Sequence, residues 1–438
     1  LNQGGSDPGP SGAGGSETAG RGGAATCEEA AFVSTAQSSL PTRDTCSAWA
    51  ARRSFANALC ACTEVDLGRG LVTTAVDSSD PERALEGSAA VGIGGDLRRV
   101  DYLQLDGSLT VAGDLGLRTN GSVDVAGDLR LAGSLTAAGP ISVGRDAWFA
   151  GNTSSLSLLE VERDLHVAPR ARLMSFGPPR VGGERFNESF TIPPPCTCEP
   201  SELLDVPGIV SDGLTRNDNA RIGLAFDALD ALDAPDPESP TTELTLSCGR
   251  FALSAISGTA PVTIHVDGAA ALFVDGDVEL GSEFVLALGA GATLDWFVRG
   301  SLTLASGARL GDALRPGALR VYTTAAFELS LPGTDEVAMN LYAPLSTVSV
   351  GNAGNVYGSL FAGSVTSTGT LLIDYDVSVL QSNPACEAFA PQSCSRCDDC
   401  ASSATCTLGS CAACTTDADC CFPLVCSLGE CAPLRTDD

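Results

Sequence analysis

Lysine is absent from this 438-residue chain. All 25 basic residues are arginine, set against 54 Asp and Glu, for a formal charge of −29. A surface this acidic repels phosphate backbones and anionic lipid headgroups, so nucleic acid is set aside as a partner and cations are favoured. Histidine is nearly absent too. His166 and His265 are the two copies, far apart in sequence, and a Ser–His–Asp triad has no support. Aromatic residues make up 5 % of the chain, which suits a narrow core with many tight turns better than a broad globular one. No uncharged apolar run reaches the ~20 residues that span a bilayer. The longest, residues 251–264, contains Ser, Thr and Pro and reads as buried strands. No phosphate-binding loop occurs either, since "GIGGDL" lacks both the lysine and a following helix.

Glycine (49 residues) and cysteine (18 residues) are plentiful. Cysteines this dense and even in number point to disulfides and an oxidising compartment. The first residue is Leu1, not Met, which fits removal of an export signal. Membrane attachment is then expected only through a lipidated residue upstream of this chain. The expected location is the cell surface, held through such an anchor at an outer membrane, or the extracellular space.

The fold is legible in residues 103–152. Aliphatic side chains fall at Leu103, Leu109, Leu115, Val123, Leu129, Leu135 and Ile141, each with a second two positions later. Pairs at i and i+2 mean very short strands, each turning at Gly plus Asp, Ser or Asn. Three such strands make one coil of about 18 residues, the repeat of a parallel β-helix. The turn aspartates Asp96, Asp114, Asp128, Asp146 and Asp164 are separated by 18, 14, 18 and 18 residues, with a two-residue insertion after Leu117. The predicted fold is therefore mainly β: a parallel β-solenoid, expected to be right-handed.

Around it the chain divides into six parts. Residues 1–26 are a Gly/Ser/Pro tether with too little apolar surface to fold. Residues 27–70 read as a helical cap stapled by Cys27, Cys46, Cys60 and Cys62. Residues 71–168 are the six-residue-repeat β-helix. Residues 169–247 are a Pro-rich insertion with Cys196 and Cys198, in which "NDNARIGLAFDALDAL" predicts one helix carrying the apolar stripe Ile222, Phe226, Leu229 and Leu232. Residues 248–385 begin at Cys248 and continue the β-helix with longer coils. Their large aromatics (Phe273, Trp296, Phe297, Tyr322, Tyr342, Tyr357, Phe361) suit a wider bore. Residues 386–438 form small disulfide-rich modules containing Cys386, Cys394, Cys397, Cys400, Cys406, Cys411, Cys414, Cys420, Cys421, Cys426 and Cys431, with "CTLGSCA" echoed by "CSLGECA". Spacing does not give the connectivity. Zinc is disfavoured at these cysteines because no histidine lies near them and Cys420–Cys421 are adjacent.

Two resemblances follow from the quoted motifs. "LTVAGDL", "VDVAGDL" and "LRLAGSL" resemble the polymer-forming bactofilin-type β-helix. "FANALCACTEV", "CTCEPSELLDV", "ALFVDGDVEL", "NLYAPLSTVSV" and "TDADCCFPLVCSLGEC" together resemble uncharacterised cysteine-rich surface proteins of myxobacteria. The second resemblance implies an exported, lipid-anchored location and brings no catalytic residues. Self-assembly of the bactofilin kind stays open but is put in doubt by stapled ends, which would cover both exposed sheet edges.

The expected function is a non-enzymatic structural or adhesion protein of a cell surface or matrix. Its expected partners are envelope or matrix polysaccharide or other surface proteins. The alternative is a carbohydrate-active β-helix lyase or hydrolase. For that chemistry, "VDGDVE" offers Asp275, Asp277 and Glu279 on one strand face, with Arg299 a coil away; Asp275 and Asp277 are the candidate calcium ligands. The plain alternative is that Asp beside Gly fixes a corner by accepting backbone N–H bonds. Stacked turn aspartates would repel unless calcium sat between them.

Overall fold

The computed structural model describes residues 47–380, apart from 84, 86, 156, 233–240, 332–336 and 352–353, together with four short strands in the C-terminal region. The tether and Cys27, Cys46, Cys386, Cys394, Cys397, Cys400, Cys414, Cys420 and Cys421 lie outside the described residues. The four short strands form two hairpins that set Cys406 opposite Cys411 and Cys426 opposite Cys431.

Residues 59–376 form a parallel β-solenoid of about 13 turns. In the six-residue region the inward positions are those read from the sequence. Leu109, Val111, Leu129, Leu131 and Val143 are fully buried, and the residue between each pair faces outward. The insertion falls where expected. Leu97–Leu105 pairs with Leu115–Val125 through two register shifts, and Arg99 and Asn120 take positive φ there.

The path of the chain differs from a simple end-to-end winding. The first coil, Leu59–Ala61, Val65–Leu67 and Gly70–Val76, lies in the middle of the rod. On one side it pairs with Val91–Ile93 and Leu97–Leu105. On the other it pairs with the last coils of the chain, Leu360–Ser367 and Leu371–Asp376. From this waist the chain winds outward to Arg185–Asn187 and then returns along the rod. It restarts at the opposite end with Thr242–Leu246 and Gly249–Leu253, and winds back to the waist. Residues 59–67, expected in a separate cap, are thus solenoid strands. The preceding helix α1 (Ser47–Ser54) is short and packs beside the terminal turn Val377–Leu380, where the Arg52 Nε donates to the Leu380 carbonyl at 3.0 Å.

The return segment is fixed at the waist by two disulfides, Cys60–Cys196 and Cys62–Cys198, with Cα separations of 6.0 and 5.5 Å. In an extended strand, residues i and i+2 point the same way. Cys60 and Cys62 therefore present both sulfurs outward to Cys196 and Cys198. The staple expected from Cys60 and Cys62 at a rod end is corrected on this point, because both bonds sit at the centre. Cys248 is also disulfide-bonded. Between Asn187 and Cys196 the chain must cover six strand steps, about 29 Å at ~4.8 Å each. Nine residues near full extension reach about 30 Å, which accounts for the Pro-rich, element-free "ESFTIPPP".

The insertion helix also differs from expectation. Helix α2 is Val206–Thr215, capped by Asp205, whose carboxylate accepts the Gly208 N–H at 3.0 Å. Residues 217–232 hold only the short α3 (Asn219–Ile222), which ends at Gly223 with φ +67°. The remainder lies along the segment that follows the outermost strand of the rod, where the Phe226 and Leu229 carbonyls accept the Ser254 and Ser257 N–H groups. The Asn219 amide both donates to the Ala252 carbonyl (2.7 Å) and accepts its N–H (2.8 Å), doing for that edge what a neighbouring strand would.

Candidate functional site

Outward positions on successive coils stack in register. One column runs the whole rod: Ala252, Phe273, Phe297, Tyr322, Tyr342, Phe361, Cys60, Gly92, Thr110, Arg130, Trp148, His166 and Phe186. Of the aromatics assigned to a wider bore, Trp296 is inside. Phe273, Phe297, Tyr322, Tyr342 and Phe361 lie on the outer face, because each follows or precedes an inward residue by one position. Phe297 and Tyr322 stack at 4.7 Å, and Tyr342 and Phe361 meet at 4.9 Å. In the other half, Arg130 lies 4.5 Å over Trp148, which stacks on His166 (5.0 Å), which stacks on Phe186 (4.8 Å).

This column is the seat of the return segment. The Glu188 carboxylate accepts a hydrogen bond from His166 Nδ1 at 2.9 Å. Pro195 and Cys196 sit over Gly92, where a Cβ would fall 2.8 Å from the Pro195 carbonyl oxygen. The Leu204 N–H donates to the Tyr342 hydroxyl. Gly213 of α2 lies against the Phe273 ring so closely that a Cβ would fall 2.2 Å from it. Sugar-binding platforms need open ring faces. Here the faces are taken by one another and by the return segment.

The corner aspartates form two columns. Asp96 accepts the Asp114 N–H at 2.8 Å, and Asp114 accepts the Ser134 N–H at 2.6 Å. Separately, Asp128, Asp146 and Asp164 accept the N–H groups of Asp146, Asp164 and Glu184. The 14-residue interval marks the jump from one corner to the other. Each carboxylate is met by a donor from the next coil, so the stack needs no cation to relieve repulsion. The glycine before Asp114 has a physical reason: a Cβ on Gly113 would fall 2.2 Å from the Asp96 carboxylate. Asp96 holds its proton more weakly than an ordinary carboxylate, first through the Asp114 N–H and then through Arg98.

Asp275 and Asp277 follow the same rule. The strand expected over 274–279 breaks there: Ala269–Val274 ends, a corner intervenes, and Val278–Leu280 begins. The two carboxylates therefore straddle a corner and do not share a strand face. Arg299 does lie one coil away, as the sequence suggested, and pairs with Asp275. Its other nitrogen donates to the Ser211 hydroxyl at 2.6 Å and the Pro207 carbonyl at 3.3 Å, tying α2 to the rod. One Asp277 oxygen accepts both the Ser301 hydroxyl and N–H at 2.7 Å, which holds its pKa down. Among the described residues, the group of three or more metal-ligand side chains that converges is Cys60, Cys196 and Cys198, whose sulfurs are in disulfides. A small cavity is lined by Leu331, Val337, Met339, Val356, Leu360 and Asn355, an apolar setting without a carboxylate.

The sequence reading missed the exposed end of the rod. The last coil, Leu173–Met174, Arg180–Val181 and Arg185–Asn187, has no strand beyond it among the described residues. Arg185 and Asn187 stand in register over Leu165 and Val167, so one side of the bore ends in polar side chains, while Leu173 and Val181 end the other two. Phe176 and Met174 are 87 % and 56 % exposed there. Residues 163–185 carry five arginines and two acids, whereas the rest of the chain carries 20 against 52.

No helix among the described residues is long and apolar enough to cross a membrane. No curated protein and no solved structure matches the chain. Residues 209–381 match a domain of unknown function (DUF7305), a stretch that begins in α2, includes the capped end and runs to the waist, so that the match covers one half of the rod.

Proposed function

We propose that this protein is an exported, non-enzymatic rod that presents its two ends at a cell surface or in an extracellular matrix, as an adhesion or structural element. The observation that carries the reading is the waist. The described solenoid starts at α1 and finishes at Val377–Leu380, side by side, and two disulfides clamp the return segment at that level. A tether on residues 1–26 would hold such a rod by its middle and leave both tips free. The disulfides favour an oxidising compartment. The kinship to cysteine-rich myxobacterial surface proteins and to the bactofilin-type β-helix belongs to this proposal, as does lipid anchoring.

The carbohydrate-active alternative requires a carboxylate free to act as acid or base. Asp275 and Asp277 are engaged with Arg299 and Ser301, which is why the structural reading ranks first. The test is antibody binding to intact source cells, paired with product analysis on glycans. Amine-directed surface labels are unsuitable, since the chain lacks lysine. Binding to intact cells without glycan cleavage supports the proposal. Signal only after lysis, or cleavage of any glycan, overturns it.

A further inference from the structure

We infer that the open end of the rod is a binding surface for an acidic, carboxylate-bearing polysaccharide. The two ends differ in chemistry. At the capped end, Asn219 bonds the outer strand Gly249–Leu253 and residues 226–232 bond the segment that follows it, while Thr242–Leu246 has no strand beyond it among the described residues. At the open end nothing described bonds the last coil in this way, and the surface inverts the charge of the molecule. Arg170, Arg172 and Arg185 are exposed there. Arg180 is 73 % exposed and shares its charge with Glu160 at 2.7 Å. Guanidinium groups offer paired N–H donors that match a carboxylate.

Two features decide what kind of acidic partner fits. Arg185 and Asn187 occupy positions that would otherwise receive an aliphatic side chain from an added coil. A charge in an inward position disfavours strand addition. An extended peptide, or a second rod stacked end to end, would bury that charge without a partner. Edge protection explains the arginines in part, but it does not explain Phe176 and Met174, whose exposed apolar surface lies on the same coil. A chain of sugar acids supplies both complements: carboxylates for the arginines, and the apolar faces of pyranose rings for Phe176. It needs no strand pairing.

This inference rests on the surface-protein reading, and its test is separable from the antibody experiment above. The oxidised full-length chain is titrated into fluorescently labelled oligogalacturonate at about 50 mM salt, with dextran and poly-L-glutamate as comparison probes. The double variant R172S/R185S is expected to weaken oligogalacturonate binding by about tenfold or more, the equivalent of ~1.4 kcal/mol. F176S is expected to weaken it severalfold. R216S/R221S, near the capped end, is expected to leave it within about twofold. Circular dichroism and melting temperature of each variant are checked first, since these side chains are exposed and their loss should leave the rod folded. Three results overturn the inference: no binding of oligogalacturonate by the native chain, undiminished binding by R172S/R185S, or binding of poly-L-glutamate as tight as that of the sugar acid. Any of these together with a positive antibody result would leave the surface reading standing and remove the glycan site alone.

Discussion

Removing the waist disulfides offers the sharpest quantitative test of the architecture. Cys60–Cys196 and Cys62–Cys198 each close a loop with a sequence separation of 136 residues. In the chain-entropy treatment, a loop of that size restrains the unfolded state by about 5 kcal/mol. The second bond adds far less. With the first in place it closes a ring of only about six residues, worth about 2 kcal/mol by the same relation. C62A/C198A alone is therefore expected to cost about 2 kcal/mol, because the other bond still closes the long loop. C60A/C196A should cost about as much, plus a packing loss at the buried Cys60. The quadruple variant should cost about 7 kcal/mol, about 3 more than the two pairs combined. Guanidinium unfolding followed by tryptophan fluorescence measures all four proteins, after peptide mapping under non-reducing conditions has verified the pairing. Losses that simply add would refute the argument, as they would mean that the two bonds do not close one shared loop.

Three further outcomes follow from the coils. Leu115→Asp and Val125→Asp each place a charge in the bore and are expected to destabilise by several kcal/mol in the same assay. Arg130→Ala should cost only about 0.5–1 kcal/mol, since it loses a contact with Trp148 and a partly buried pair with Asp128. Asp114→Ala removes the acceptor of the Ser134 N–H and should cost about 1 kcal/mol, while Asp114→Asn keeps an acceptor and should cost less. The pH dependence has a defined sign. Asp96 and Asp277 have folded values below the ordinary 3.8, so their contribution is fully present above that value and is lost as pH falls through the lower folded value. Melting temperature should therefore drop below pH 4, and D96N should flatten that drop; an unchanged slope would remove Asp96 from the account.

The coil itself was legible because a bore two side chains wide forces a two-residue alternation that the sequence repeats from Leu103 to Val143. The corner role of Asp275 and Asp277 was legible for the same reason. The order of coils in space was not, because every coil makes the same backbone bonds to either neighbour and local periodicity does not say which neighbour it has. The one available clue was the matched spacing of Cys60–Cys62 and Cys196–Cys198, two pairs able to face each other only across extended chains. Helix α2 was hidden by Pro207, Gly208 and Gly213, which read as loop. Pro207 is tolerated in the first turn, where its missing N–H would have had no partner, and Gly213 is required by the Phe273 ring. Residues 224–232 carried a helical stripe, yet the N–H groups of Ser254, Ser257 and Ala260, just past the outer strand Gly249–Leu253, bond their carbonyls instead. The outer aromatic column was present as residues about one coil apart, Arg130, Trp148, His166 and Phe186, and emerges only when the coil period is applied to outward positions.

The seam at the waist also orders the events of folding. The strands of the first coil meet those of the last across a separation of about 300 residues, as between Thr74 and Asp374. As the chain is made, one half of the rod can wind up from its first coil while the face that will receive Leu360–Ser367 and Leu371–Asp376 stays bare until nearly the whole chain exists. Contacts this distant form slowly, and bare parallel edges recruit other chains. A fragment ending before residue 360 should therefore collect in aggregates where the full chain does not. Keeping the polypeptide unfolded until translation is complete would protect it from its own half-built state.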